Sequence, residues 1–396
     1  MKILIVHNAY REAGGEDTVV NQEIDLLKGY NEEVFQYRRS NKEVDEYSIW
    51  QKLGLPFNII WSSKSKKEIE DIIVKIKPDV VHFHNTFFQI SPAPYYSCRR
   101  LRIPVVQTIQ NYRFLCPAAT FYRDGAVCEK CLGKTMPISG MIHGCYHHSK
   151  AASGVVASML TIHNKLNTFY SCIDELIAVT EFAKQKFIDA GFPAQRISVK
   201  ANIISPDPGM KSVLGSYAIF IGRFVEEKGV MTLLQALEGS SVPIKLLGSG
   251  KLEETVKKYA GMSLGKEVME WAPRDIMFDT LKQARFLVFP SEWYEGFPLA
   301  IAEAFACGVP VISSNIGSMS EIIEHGKNGL FFRAGDAKDL KTKIEWAWNH
   351  PEELQKMGER ARQEYEERYT PERNYQSLLE IYKKAALHAQ NKNLST

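Results

Sequence analysis

Two glutamates, Glu295 and Glu303, bracket the segment Gly296-Phe297-Pro298-Leu299-Ala-Ile-Ala302, which follows the apolar run Phe286 to Pro290. Ionised carboxylates accept hydrogen bonds from hydroxyls, so Glu295 suits the hydroxyls of a bound sugar and Glu303 those of a ribose. Arg223 and Lys228 flank a glycine-bearing loop opened by Gly222 and carry the opposite charge. Either can neutralise a pyrophosphate, arginine through a planar fork and lysine as a point charge. Gly248, Gly250 and Arg274 stand after strand-like runs and join this donor-side set. The chemistry such residues share is the binding and polarising of a nucleotide diphosphate carrying a sugar.

These groups need a strand, a loop and a helix to hold them. The run Phe286 to Pro290 reads as a strand, and Pro298 reads as the first turn of the following helix. Ala300, Ala302, Ala304 and Ala306 let that helix pack close to the sheet. Its N-terminus then presents N–H groups and a positive dipole end to an anion. The same rhythm of strand and helix runs from Ser216 to Arg333, and the last sixty residues read as helical.

The first half repeats the rhythm. A strand from Lys2 to Val6 precedes Gly14-Gly15 and a helix from Glu16 to Lys28; the glycine pair lets backbone approach a bound group. Residues 40 to 65 are weakly patterned and read as an irregular surface excursion. Alternation in Asp79 to His84 puts His82 and His84 on one face, with His84 and Asn85 at the carboxyl end. There His84 is an acid/base candidate. The strand Val105 to Ile109 delivers Gln110 and Asn111 to the same edge. Residues 113 to 150 break the rhythm and hold Cys116, Cys128, Cys131 and Cys145, spaced C-x11-C-x2-C-x13-C. One C-x2-C knuckle with two outlying cysteines fits a structural zinc, with four reduced thiols in a loop as the alternative.

At 396 residues the chain exceeds one ordinary core, so two domains are expected. The turn-rich Pro206-Asp-Pro-Gly209 marks the linker, giving 1–203 with its 113–150 excursion, 204–375, and a helical tail 376–396. A formal net charge of +3 argues against a nucleic-acid binder. Lys and Arg exceed Asp and Glu by five up to residue 200 and fall short by two after it. Basic clusters at Arg38-Arg39, Lys64 to Lys67 and Arg99 to Arg102 suit a solvated surface, anionic lipid head groups or a phosphorylated substrate. With no apolar h-region at the start and no membrane-length apolar run, the expected location is cytoplasmic, extending to peripheral attachment at the inner face of the membrane.

The combination Gly222-Arg-Phe-Val-Glu-Glu-Lys228-Gly229, Glu295-x7-Glu303, Gly308-Val-Pro-Val-Ile312 and Gly326-x-Asn-Gly-Leu330 resembles the family 4 retaining glycosyltransferases of the GT-B fold. The first half is similar to the acceptor domain of those enzymes, including the subgroup with a cysteine-bearing segment after Asn111-Tyr-Arg113. The resemblance implies two Rossmann-like, doubly wound α/β domains facing a cleft. It implies transfer of a sugar from UDP or GDP to a saccharide acceptor with retention, without a catalytic metal. It places Arg223 and Lys228 on the diphosphate, Glu295 on the donor sugar, Glu303 on the ribose and Gly14-Gly15 near phosphate and acceptor. Many relatives carry a histidine where this chain has Gln110, and glutamine cannot act as an acid or base near neutral pH.

The implied setting is bacterial surface-polysaccharide or lipid-linked oligosaccharide assembly, with a lipid-linked saccharide among the acceptors. A nucleotide-sugar epimerase on the same two-domain plan is the competing enzyme. A dinucleotide-dependent oxidoreductase is disfavoured because Gly248-Ser-Gly250 lacks the third glycine of the fingerprint. A non-enzymatic zinc-ribbon module is disfavoured because the donor-side residues are all present.

Overall fold

The computed structural model describes residues 1–12 and 14–394. It divides into two compact units. The first comprises Met1–Phe121, Cys128–Ile203 and Glu372–Thr396; the second comprises Tyr122–Val127 and Ile204–Pro371.

In the first unit, β1 (Lys2–Ala9), β2 (Glu33–Ser40), β3 (Val80–Phe83) and β4 (Val105–Ile109) pair in parallel. A hairpin of β5 (Tyr122–Arg123) and β6 (Ala126–Val127) interrupts the sequence, although it belongs to the second unit. With β7 (Glu175–Ala178) and β8 (Ile197–Val199) the sheet reaches six strands, ordered β2-β1-β3-β4-β7-β8. Ile3, Leu4, Ile5 and Val6 are fully buried, as expected where helices cover both faces of a parallel sheet.

Covering one face is the helix Gly15–Gly29, through Val20, Ile24 and Leu27. The helix Pro371–Leu394 returns from the far end of the chain to the same core, where Leu378, Ile381, Tyr382 and Ala385 pack with Ile3, Ile5 and Val80. Burying Leu378 and Ile381 stabilises this docking by roughly 3 to 6 kcal/mol.

Residues 40 to 65 are not irregular. They form a 3-10 helix Asn41–Glu46, an α-helix Ile49–Ile60, and the start of the helix Ser63–Ile76. Ser48 and Ser62 cap the two α-helices with hydroxyls that accept from Gln51 N and Ser65 N. The excursion 113–150 holds the hairpin and a short helix Ile138–Ile142, and Lys150–Lys165 follows as a long one.

The second unit carries β9 (Tyr217–Ile221), β10 (Ile244–Leu247), β11 (Lys266–Met269), β12 (Ala284–Phe289), β13 (Val311–Ser314) and β14 (Gly329–Phe332). Their order is β11-β10-β9-β12-β13-β14, all parallel. The order reverses between β9 and β12, the switch point at which open α/β sheets bind ligands. A core of Phe220, Phe224, Leu233, Leu246, Phe286, Val288 and Leu340 lies on one face. A short helix, Met319–Ile322, follows β13, and beyond it Asn328 Oδ1 accepts from Glu324 N and turns the chain into β14.

Candidate active site

In the second unit the site is built from loops leaving β9, β10 and β12. Gly222 N donates to Leu247 O at 3.1 Å and Phe224 N to Ser249 O at 2.8 Å, which joins the first two loops. A Cβ on Gly248 would lie 1.9 Å from Gly222 O, so this junction admits only glycine. Gly229 has a φ of +65°, and a Cβ there would lie 1.9 Å from Pro290 O. That approach sets the Lys228 loop directly against the end of β12.

Lys228 Nζ accordingly reaches Glu295 Oε1 at 2.6 Å. The same oxygen accepts from Ser291 Oγ at 2.6 Å and from Trp293 Nε1 at 2.7 Å. Ser318 Oγ donates to Glu295 O at 2.9 Å and fixes its backbone. The Lys228 ammonium also lies 5.3 Å from the Phe289 ring centre and 5.6 Å from that of Trp293. Glu295 is thus a buried acceptor clamped by three donors, one of them charged. Arg223 differs: its side chain is mostly exposed, with Glu227 at 3.7 Å.

Pro298 caps the next helix and does not sit in its first turn; the helix is Leu299–Ala306. Gly296 and Phe297 occupy the loop before it, and the Phe297 ring meets Tyr369 edge-on at 5.7 Å. Glu303, one turn into the helix, is buried, with Arg274 Nη2 at 3.3 Å. Arg274 also donates to Ser205 O at 2.7 Å and lies over the Phe278 ring. Burial raises the Glu303 carboxyl to about 7, against the opposing charge of Arg274.

At the carboxyl edge of the first unit, Asn85 bonds back to β1: its Nδ2 donates to Asn8 O at 2.9 Å, and Asn8 N to Asn85 O at 2.8 Å. Gln110 and Asn202 exchange two amide hydrogen bonds of 2.9 Å each. Asn111 Nδ2 reaches Tyr10 Oη at 3.1 Å and Glu16 Oε2 at 3.2 Å. Gly14 caps the helix that Gly15 opens, and its N–H donates to Asp17 Oδ2 at 3.1 Å. Tyr10, Glu16 and Asn202 are additions to the sequence-derived set, as are Ser291 and Trp293. The last two had a signal, being polar side chains four and two residues before Glu295. Burial raises the Glu16 carboxyl, with His7 and Tyr10 opposing.

His84 lies apart from this edge cluster. It is buried beside His82, ring centres 4.3 Å apart, with its Nε2 at 3.1 Å from Glu23 Oε1. Lys200 Nζ, 3.0 Å from Glu23 Oε2, and the two histidines hold that carboxylate well below its ordinary range despite its burial. Burial, then the neighbouring His82, pushes His84 down to about 4. At pH 7 the His84 ring is therefore the uncharged imidazole and has no extra proton to donate as an acid. Among the described residues, Glu23, His82 and His84 alone gather three metal-type ligand atoms within 4.8 Å, but Lys200 already supplies their cation. Cys116, Cys128 and Cys145 neighbour Cys131, whose thiol burial and then those neighbours push up to about 11.

Two parallel α/β units, the second with a cation and carboxylate site at its switch point, define a GT-B glycosyltransferase architecture. Residues 8–207 match the model of glycosyltransferase family 4 and residues 214–364 that of the glycosyl transferases group 1. The chain belongs to these glycosyltransferases. An uncharacterized glycosyltransferase of Methanocaldococcus jannaschii is 30% identical over 169 residues, 42% of this chain and 48% of that protein. The O-antigen chain mannosyltransferase C of Escherichia coli is 28% identical over 179 residues, 43% of this chain and 47% of that protein. Both matches therefore span about half the length of the relative. Anabaena HepE, solved in complex with UDP, superposes with a TM-score of 0.68 at 16% identity, covering 96% of this chain and 99% of that one. Among the described residues, no helix is long and apolar enough to cross a membrane.

Proposed function

We propose that this glycosyltransferase moves a sugar from a UDP- or GDP-sugar to a saccharide acceptor with retention, in bacterial surface-polysaccharide or lipid-linked oligosaccharide synthesis. The observation that carries the donor assignment is the clamp of Lys228, Ser291 and Trp293 on Glu295, one loop away from Glu303 and Arg274. Breaking the glycosidic bond places negative charge on the diphosphate. Lys228 and the exposed Arg223 meet that charge, and the helix Leu299–Ala306 adds its N-terminal dipole. Glu295 holds the sugar hydroxyls, and Glu303, once ionised, those of the ribose.

On the acceptor side, Gln110 has no basic atom and is paired with Asn202, and His84 is buried out of reach and weakly basic, so neither serves as the base. The leaving phosphate takes the acceptor proton, which requires no catalytic metal or further cofactor. The UDP bound by HepE and the O-antigen role of the mannosyltransferase support the donor class and the pathway. A structural zinc on Cys116, Cys128, Cys131 and Cys145 belongs to the same reading. Thermal-shift comparison of UDP, GDP and ADP tests it: one uridine or guanosine nucleotide raises the midpoint, and no response to any of them would sink it.

A further inference from the structure

The helix Ile49–Ile60 has no fully buried residue. Its Ile49, Leu53 and Phe57 recur every fourth position, with Trp50 beside them, and are 70%, 63%, 76% and, for Trp50, 79% exposed. Residues so spaced share one helix face. Large side chains on that face are left to water although the C-terminal end of the helix, at Ile59 and Ile60, packs against Val156, Met159 and Leu160. His163 Nε2 donates to Ile60 O at 2.9 Å, which ties this helix to Lys150–Lys165. The Met141 side chain reaches Gly154 of the same long helix, which ties on Ile138–Ile142. These two further helices and their flanks leave Met136, Ile138, Ile142 and Leu166 exposed.

The two segments that carry these side chains hold charge of one sign, although Lys64 also pairs with Glu68 beyond the first of them. No Asp or Glu occurs from Tyr47 to Lys67 or from Lys130 to Ile173. The first segment holds Lys52, Lys64, Lys66 and Lys67, and the second Lys130, Lys134, Lys150 and Lys165. Elsewhere the surface mixes signs, as on Pro351–Arg368, where Arg362 pairs with Glu366 and Arg368 with Glu364. A protein partner is met by mixed charge and shape; an apolar face carried on segments whose charged side chains are all cations matches an anionic lipid surface. An indole at the margin of such a face sits well at headgroup depth.

We propose that the helices Ile49–Ile60, Ile138–Ile142 and Lys150–Lys165 form a docking surface for an anionic bilayer, with Trp50, Leu53 and Phe57 entering the headgroup region and the surrounding lysines resting on lipid phosphates. The surface lies in the plane of the interface and does not span it, since twelve residues are too few. It is independent of the transfer chemistry and holds whichever acceptor is used.

Sedimentation of the full chain with phosphatidylcholine vesicles containing phosphatidylglycerol, against phosphatidylcholine alone, tests the assignment. The chain pellets with the anionic vesicles and far less with the neutral ones. Trp50→Glu with Phe57→Glu lowers the partition coefficient about tenfold or more. Lys64→Gln with Lys67→Gln lowers it about fivefold for each lysine. All four side chains are exposed, so an unchanged thermal midpoint separates lost docking from lost folding. Failure to pellet, or equal pelleting of the parent and both variants, overturns the proposal. So does a dimer in lipid-free solution that the Trp50 and Phe57 changes dissolve, which would assign the face to a second copy of the chain.

Discussion

Lys228 and Glu295 meet at 2.6 Å on a carboxylate oxygen that two further donors already grip. The ammonium is therefore held at the switch point, and on the proposed reading it offers the transition state a preorganised cation. Lys228→Ala should lower kcat/KM by about a hundredfold or more, a loss of about 3 kcal/mol. Steady-state kinetics with the donor identified by thermal shift checks this. A change under threefold would remove Lys228 from the charge-stabilising role.

Glu303 makes donor binding and folding respond to pH in opposite directions. Its folded-state carboxyl is raised from 4.5 to about 7, so the folded protein keeps a proton that the unfolded chain has released between those values. Folding stability is then lost as pH rises through that window, by about 3 kcal/mol once the group ionises. Glu303→Gln should raise the unfolding midpoint at pH 8 and leave it unchanged near pH 4. The same substitution should weaken nucleotide binding above pH 7, where the carboxylate accepts ribose hydroxyls. Unfolding curves and nucleotide titrations at the two pH values check both arms.

The buried cluster under the first unit's sheet edge should set its acid limit. Glu23 is depressed and His84 is lowered from 6.5 to about 4. Both contribute stability that is present at neutral pH and is lost as pH falls, His84 through the window from 6.5 to about 4. Lys200→Met leaves Glu23 as an uncompensated buried charge and should cost about 3 to 5 kcal/mol at pH 7. Urea unfolding at pH 7 and pH 5 measures this, and a loss below 1 kcal/mol would show that Glu23 finds its balance elsewhere.

Zinc on the four cysteines gives a separate outcome. Metal analysis of protein purified without added zinc should return about one equivalent, and chelation should lower the unfolding midpoint. Cys128→Ser with Cys131→Ser removes the knuckle and should abolish both effects. A metal content near zero would leave the four thiols as reduced neighbours.

Much of the donor site was legible because it is local in sequence. Gly222, Lys228, Gly248, Glu295 and Glu303 each follow a buried strand, and their glycines are forced by contacts as short as 1.9 Å. Histidine 84 was misread for a reason that no local pattern contains: its neighbour Glu23 comes from another helix, and Lys200 from much later in the chain. The helix Ile49–Ile60 was hidden differently. Gly54 and Pro56 interrupt it, and its large apolar residues face outward, so a periodicity that presumes a protein core could not register it.

The return of Pro371–Leu394 to the first unit has a consequence for how the protein is made. Domains emerging from a ribosome ordinarily fold in order, N-terminal first. Here the N-terminal sheet cannot complete its core until Tyr382 and Ala385 have been synthesised, whereas nearly all of the second unit, Ile204–Pro371, precedes them. The second unit matures while the earlier-born first unit still waits for its closing helix, and a chain cut short near residue 371 would hold one finished domain and one open one.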